Sequence, residues 1–339
     1  VTGTPRVWAF HDTRGRGSAK PSGCGWIRIT LPLDQLAVHG WRTGYACALP
    51  PEEWGEVDVF VAQRSDQPQF RPVWDVLCGI EGLKCVYEID DDPFSLDPVN
   101  WLASPSYTNQ DILDSIAHMA STAHLVTVTT DALADRFRQF NPNIAVLPNY
   151  IPAAVLALPR RRHEQLTIGY TCGCSHSRDI ALIAQAWRDI VDETGCRGHF
   201  VGTDFRTVTR PRGFDFTGWE PEPPAYYANI DFDIGLAPLS DHPFGLGKSP
   251  LKALEYAALG IPVIASDHPV YREFVVDGVT GILCRTQDQW RDAMRLLLAD
   301  AELRESMGAK GREQAAAWTI EGNWERWARV YCELMKGNG

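Results

Sequence analysis

The chain has 339 residues, 45% hydrophobic and 22% charged, with a formal charge of −11. This is the composition of a folded globular protein, which excludes a disordered or fibrous chain, and the length suits two domains of roughly 100–200 residues each. The acidic balance argues against a surface devoted as a whole to nucleic acid or anionic membrane, and no apolar run approaches the ~18 residues of a membrane helix, so a cytoplasmic protein without stable membrane insertion is expected.

From the amino end, short runs rich in Val, Ile, Phe and Tyr alternate with helical stretches, the pattern of parallel βαβ units. The first series of strands is Arg6–Phe10, Val57–Gln63, Lys84–Asp90, Leu125–Thr130 and Ile144–Asn149. After the first of them comes a glycine-containing loop, Pro21-Ser22-Gly23-Cys24-Gly25-Trp26, and then a helix over Ile27–Val38 that carries Arg28. Gly23 and Gly25 would let backbone approach a ligand closely, or serve a plain turn. The third strand ends in Glu88-Ile89-Asp90-Asp91-Asp92. Three adjacent carboxylates cannot all stay buried and ionised, so some must face solvent or pair with a cation such as Arg28.

Pro148-Asn149-Tyr150-Ile151-Pro152 and Leu158-Pro159-Arg160-Arg161-Arg162-His163 read as an inter-domain connection, with the boundary near residue 155. The second series follows: Leu166–Cys172, His199–Thr203, Phe214–Trp219, Asp233–Leu239, Pro262–Ser266 and Thr280–Cys284, with helices such as Asp179–Glu193 and Ser249–Leu259 between. Continuous apolar runs such as VDVFVAQ and PVIAS suit parallel strands buried on both faces. Ile320–Met335 reads as a final helix, with Trp324, Trp327, Val330 and Tyr331 at helical spacing. Nine scattered cysteines without a CxxC pair point to reduced thiols. The Cys172-Gly173-Cys174 triplet lacks neighbours for a metal site, so none is expected.

The stretch Gly247-Lys248-Ser249 resembles the end of a phosphate-binding Walker loop, but that loop needs a glycine five residues before Gly247, where His242 stands. A phosphate can be held there in another way. A strand precedes and a helix follows, with Ser249 expected as N-cap and Pro250 at the first helical position. A helix start offers free N–H groups and a positive dipole end to an anion, and Lys248 adds a full charge. Lysine is scarce in this chain, and Lys248 and Lys252 are two of only six.

The stretch from Asp233 to Cys284 resembles the donor-binding region of retaining GT-B glycosyltransferases of family 4. Glu255 with Ala258-Leu259-Gly260-Ile261-Pro262-Val263-Ile264-Ala265-Ser266 matches the second half of their Glu-x7-Glu signature and the phrase that follows it. Gly247 stands where the first glutamate would be, in a KSxxKxxEY form of the kind found in bacterial polysaccharide clusters and phage genomes. Thr129-Thr130-Asp131, Val146-Leu147-Pro148-Asn149 and Phe216-Thr217-Gly218-Trp219 also resemble family phrases in the expected order.

The resemblance implies an α/β protein of two doubly wound, Rossmann-like domains facing one cleft. Residues 1–155 would be the acceptor side, 156–319 the nucleotide-sugar domain, and 320–339 a helix returning to the first domain. It implies a UDP- or GDP-sugar donor, no required cofactor or metal, and transfer with retention. By position, Glu255 would hold the ribose hydroxyls. Lys248, Ser249 and the N–H of Leu251 would bracket the diphosphate, with Lys252, Gly173 and either His176 or Arg178 as further donor contacts. Lys248, Asp90 and Asp91 are the expected catalytic residues, and Gly23, Gly25 and Arg28 the glycine-loop or acceptor contacts. The acceptor stays open between glycan, lipid, protein and modified nucleic acid, for which a basic strip of Arg6, Arg14, Arg16, Lys20 and Arg28 could compensate the acidic charge. Two rival classes remain, a catalytically silent nucleotide-sugar binder and a P-loop-like kinase or NTPase.

Overall fold

The computed structural model of the protein describes residues 4–11, 21–46, 55–97, 99, 108–160, 164–210 and 212–337. Arg14, Arg16 and Lys20 of the basic strip and Arg161–His163 of the connection lie outside the described residues.

Two six-stranded sheets form, every adjacent pair parallel. The first runs in the order β2-β1-β3-β4-β5-β6, with β1 Arg6–Phe10, β2 Arg42–Ala46, β3 Val59–Gln63, β4 Lys84–Ile89, β5 Leu125–Val128 and β6 Ile144–Val146. The second runs β12-β11-β10-β7-β8-β9, with β7 Thr167–Cys172, β8 Arg197–Gly202, β9 Phe214–Gly218, β10 Ile234–Ala237, β11 Val263–Ser266 and β12 Gly281–Cys284. The central strands are buried throughout: β3, VFVAQ, and β11, VIAS, have no exposed residue. β2 is the strand that sequence reasoning misses. Its segment RTGYA has a single large apolar residue and a half-exposed edge position, so no apolar run marks it.

Helices cover both faces of each sheet. The longest, Ser177–Thr194, buries Ile180, Ile183, Trp187, Ile190 and Val191, one face at helical spacing, and stops at Gly195 in the left-handed region with φ of 69°. In the first domain the expected glycine loop is already helical. Ser22 Oγ accepts a hydrogen bond from the Gly25 N–H at 3.0 Å and starts a helical turn over Gly23–Gly25, followed by a π-helical turn at Trp26–Thr30 and an α-helix at Leu31–Val38. Gly23 and Gly25 therefore belong to a helix start and not to a loop.

The chain crosses between the sheets twice, and the crossings touch. The N–H of Ile151 donates to the Trp318 carbonyl at 3.1 Å, and that of Ile320 to the Ile151 carbonyl at 2.9 Å. Beyond the second crossing the helix Glu325–Lys336 returns to the first sheet, where Trp327 and Tyr331 are buried with Val7, Ala9, Leu33 and Leu36.

Candidate active site

In open parallel sheets, ligands bind at the carboxyl ends of strands where the strand order reverses. The reversals fall between β1 and β3 in one sheet and between β7 and β10 in the other. A cavity of about 350 Å³ lies where these carboxyl ends face each other. Its first-domain wall carries Gly23, Arg64 after β3 and Asp90 and Asp91 after β4; its second-domain wall carries Thr171–His176 at the end of β7 and just beyond it, Trp219 after β9, and Lys248, Ser249, Leu251, Lys252 and Glu255 after β10.

The helix beneath Lys248 runs over Leu251–Ala258, with Pro250 as its N-cap and no side chain capping it. This corrects the expected Ser249 cap. Ser249 Oγ is instead an acceptor for Asn149 Nδ2 at 2.8 Å, a bond between the two domains. The residues before Lys248 form no phosphate-cradling loop: Pro243–Leu246 is a helical turn capped by His242, whose Nδ1 accepts from the Phe244 N–H at 3.3 Å. The first N–H groups of the Leu251–Ala258 helix have no acceptor within it, and Leu251 and Lys252 sit on the cavity wall.

Lys248 Nζ donates to Asp91 Oδ1 at 2.6 Å and stands 4.3 Å from the centre of the Phe244 ring. Arg64 completes the cluster, its guanidinium bridging Asp90 and Asp91. Burial pushes the Asp91 carboxyl up, but the Lys248 and Arg64 charges outweigh it and hold the group well below the usual range. Arg64 has a φ of 45°, a strained backbone for a non-glycine residue. Sequence reasoning missed it; its place at the carboxyl end of a buried strand, one residue beyond VFVAQ, was the available signal.

Arg28 is not a cleft residue. It is buried, its guanidinium donating to both oxygens of Glu88 at 2.8 and 3.1 Å, to the Leu147 carbonyl at 2.6 Å and to Asn149 Oδ1 at 3.0 Å. The cations for the acidic run are thus Arg64 and Lys248, with Arg136 on Asp92 at 3.1 Å, while Arg28 takes Glu88. Arg28 reaches the site only by orienting Asn149, which in turn holds Ser249. Gly25 is buried in the same segment and does not line the cavity. Arg178 is not among the residues lining the cavity; it is half-exposed and paired with Asp97 at a small neighbouring recess.

His176 lines the cavity without being a cation. It is buried, its Nδ1 2.6 Å from Asp179 Oδ2 and its Nε2 2.9 Å from Lys252 Nζ. Burial and the Lys252 charge lower its pKa to about 4 against the opposing pull of Asp179. Glu255 is also buried and accepts from the Tyr226 hydroxyl at 3.0 Å. Burial raises its carboxyl to about 7, against the Tyr226 hydroxyl and Lys252, which favour ionisation. Tyr226 packs against Trp219 with ring centres 5.1 Å apart, and Trp219 approaches Gly23 so closely that a Cβ there would meet its ring at 2.6 Å. At Gly247 a Cβ would meet Leu133 at 3.4 Å and Asp92 at 3.7 Å, so a long side chain there would have to be accommodated against the first domain.

Among the described residues one further cluster has metal-ligating chemistry, Cys78, Cys85 and His124 at the opposite end of the first sheet. His124 Nδ1 accepts from the Cys85 N–H at 3.0 Å, which leaves its other ring nitrogen protonated and the neutral ring without a free lone pair.

Residues 211–314 match the family model described as Glycosyl transferases group 1. A D-inositol 3-phosphate glycosyltransferase of Corynebacterium diphtheriae is 34% identical over 116 residues, 33% of this chain and 26% of that protein. The enzyme of the same description from Nocardia farcinica is 32% identical over 122 residues, 34% of this chain and 26% of that protein. The match thus spans about a quarter of the length of these curated relatives. Among solved structures, sucrose-phosphate synthase from Thermosynechococcus elongatus has a TM-score of 0.67 at 15% identity, covering 98% of this chain and 99% of that one. Anabaena Alr3699/HepE in complex with UDP has a TM-score of 0.65 at 14% identity, covering 97% and 100%. At such identities the likeness shows the fold, the GT-B arrangement of two parallel-sheet domains.

Proposed function

We propose that the protein is a nucleotide-sugar-dependent glycosyltransferase that moves a hexosyl or pentosyl group from a UDP-sugar, or a related nucleoside-diphosphate sugar, to an acceptor hydroxyl. Residues 1–155 would form the acceptor side, 156–319 the donor domain, and 320–339 the returning helix. The observation that carries this is the convergence, in one cavity, of Lys248, Lys252, a helix start and Glu255. Two cations and free N–H groups suit a diphosphate, and a carboxylate one turn deeper suits the ribose hydroxyls. The group 1 match over residues 211–314 spans all four, and Anabaena Alr3699/HepE, which shares the fold, has been crystallised with UDP.

In the reaction the bond from the anomeric carbon to the diphosphate oxygen breaks while the acceptor oxygen bonds to that carbon. Negative charge builds on the leaving diphosphate, so Lys248, Lys252 and the helix start act where charge develops. They supply compensation that a metal ion would otherwise give, which is why we assign no essential metal. Retention would follow if the acceptor enters on the face the diphosphate leaves, its proton passing to a departing phosphate oxygen. Asp91 is occupied by Lys248 and Arg64 before the donor arrives. A diphosphate drawing Lys248 to itself would release an Asp91 oxygen toward the acceptor hydroxyl, with Asp90 beside it.

The direct test is a thermal-shift series with UDP, GDP and their sugars, followed by assay of the responding sugar nucleotide for slow hydrolysis. A shift with a diphosphate and release of free sugar are expected. No response to any nucleoside diphosphate would sink the assignment, and binding without turnover would leave a silent binder.

A further inference from the structure

We propose that His176 and Asp179 are positioning residues that aim the Lys252 ammonium at the donor diphosphate, an inference that rests on the diphosphate reading above. Three hydrogen bonds form one chain. The Ser240 N–H donates to Asp179 Oδ1 at 2.8 Å, Asp179 Oδ2 lies 2.6 Å from His176 Nδ1, and His176 Nε2 lies 2.9 Å from Lys252 Nζ.

An ammonium has only donors and a carboxylate only acceptors, which fixes every proton along the chain. Nε2 must be bare to accept from Lys252, so the neutral ring carries its proton on Nδ1 and donates it to Asp179. A protonated ring would set an N–H against the ammonium, and the depressed pKa of His176 agrees with its being neutral. Asp179 and His176 are 5% and 6% exposed, so neither exchanges partners readily with water. Asp179 is tied by Ser240 to the strand-end loop after β10, while His176 belongs to the loop after β7. The relay therefore spans the reversal point of the second sheet.

The consequence concerns Lys252. A lysine side chain is a flexible stem bearing three equivalent donors. With one donor committed to Nε2, the other two are confined in direction, and Lys252 lines the cavity at the start of the helix. A cation held in place before the anion arrives loses less freedom on binding and needs less rearrangement during charge build-up.

His176→Leu removes the acceptor, His176→Gln returns one, and Asp179→Asn keeps the shape of the carboxylate. In the Asn variant the amide oxygen can keep the Ser240 bond, so its NH₂ faces Nδ1, moves the ring proton to Nε2 and turns that nitrogen against Lys252. Calorimetric titration with UDP and GDP, and with uridine and guanosine, reads the preference for diphosphate over nucleoside. We expect His176→Leu and Asp179→Asn to lower that preference about tenfold, and His176→Gln to recover most of it. An unchanged preference in Asp179→Asn and His176→Leu, whatever their melting temperatures, would overturn the positioning role. Nitrogen-15 NMR of the ligand-free protein should show His176 protonated at Nδ1, and protonation at Nε2 would overturn the relay itself. If the wild type binds neither diphosphate, the reading beneath the proposal fails, and the NMR result tells that failure apart from failure of the relay.

Discussion

Glu255 shows how a single buried carboxyl ties function to stability. Its pKa is raised from the usual 4.5 to about 7, so the folded state holds a proton that the unfolded chain releases earlier. The associated stability is fully present below pH 4.5 and is lost as pH rises through 7, roughly 3 kcal/mol at about 1.4 kcal/mol per pH unit. Glu255→Gln should therefore melt higher than the wild type at pH 8 and lose that advantage at pH 4, read by thermal denaturation across pH. In the proposed ribose-binding role, nucleotide affinity should have the opposite dependence, falling as pH drops below about 7, because only the ionised carboxylate would offer all its lone pairs to the hydroxyls; calorimetry at pH 6 and 8 checks it. For Lys248→Ala we expect turnover to fall about 10²-fold, the scale for one preorganised charge, in a donor-hydrolysis or transfer assay. Unchanged turnover would remove Lys248 from the chemistry. That Lys248 and Glu255 lie on one helix start was expected from the resemblance of the segment Asp233–Cys284, and both line the cavity. The partners of His176 and Arg64 were not foreseen, since they depend on which neighbour a distant loop supplies, Lys252 in one case and the Asp90–Asp91 turn in the other.

The helical segment Gly23–Val38 is the element where sequence and structure differ most usefully. Its glycines suggested a loop, but a serine cap at residue 22 overrides their low helical propensity, and Gly23 is needed small because Trp219 packs against it. The same segment carries Arg28 into the first domain, where it binds Glu88 of β4 and the chain after β6. Arg28→Met would leave the buried Glu88 without its charge partner and with only the Thr127 hydroxyl to donate to it, and should cost about 3–5 kcal/mol in urea denaturation, with the Arg28→Met, Glu88→Met double variant recovering much of that loss. A loss no greater in the single variant than in the double would contradict the buried-pair account. Most other elements were readable, since runs such as VFVAQ and VIAS mark central parallel strands. β2 escaped because an edge strand with residues RTGYA needs no continuous apolar run.

At the scale of the molecule, the carboxyl-terminal helix makes the two domains depend on each other. Trp327 follows the whole second sheet in sequence yet is 2% exposed in the core of the first. Trp327→Ala should cost about 3–5 kcal/mol, measured by urea denaturation, and the loss should appear in the first domain's unfolding. The two-sheet layout was legible because strand runs and helices alternate along the chain. The hydrogen-bonded meeting of the crossings at Ile151 and Trp318 was not, since nothing local in either segment names the other. One exposed residue offers a handle on the assembled cleft. Cys174 lines the cavity and is exposed, whereas the other described cysteines are buried or half-buried. A small alkylating reagent should modify it ahead of the others, and occupancy of the cavity should slow that modification, so mass spectrometry of one adduct could report ligand residence without any knowledge of the acceptor.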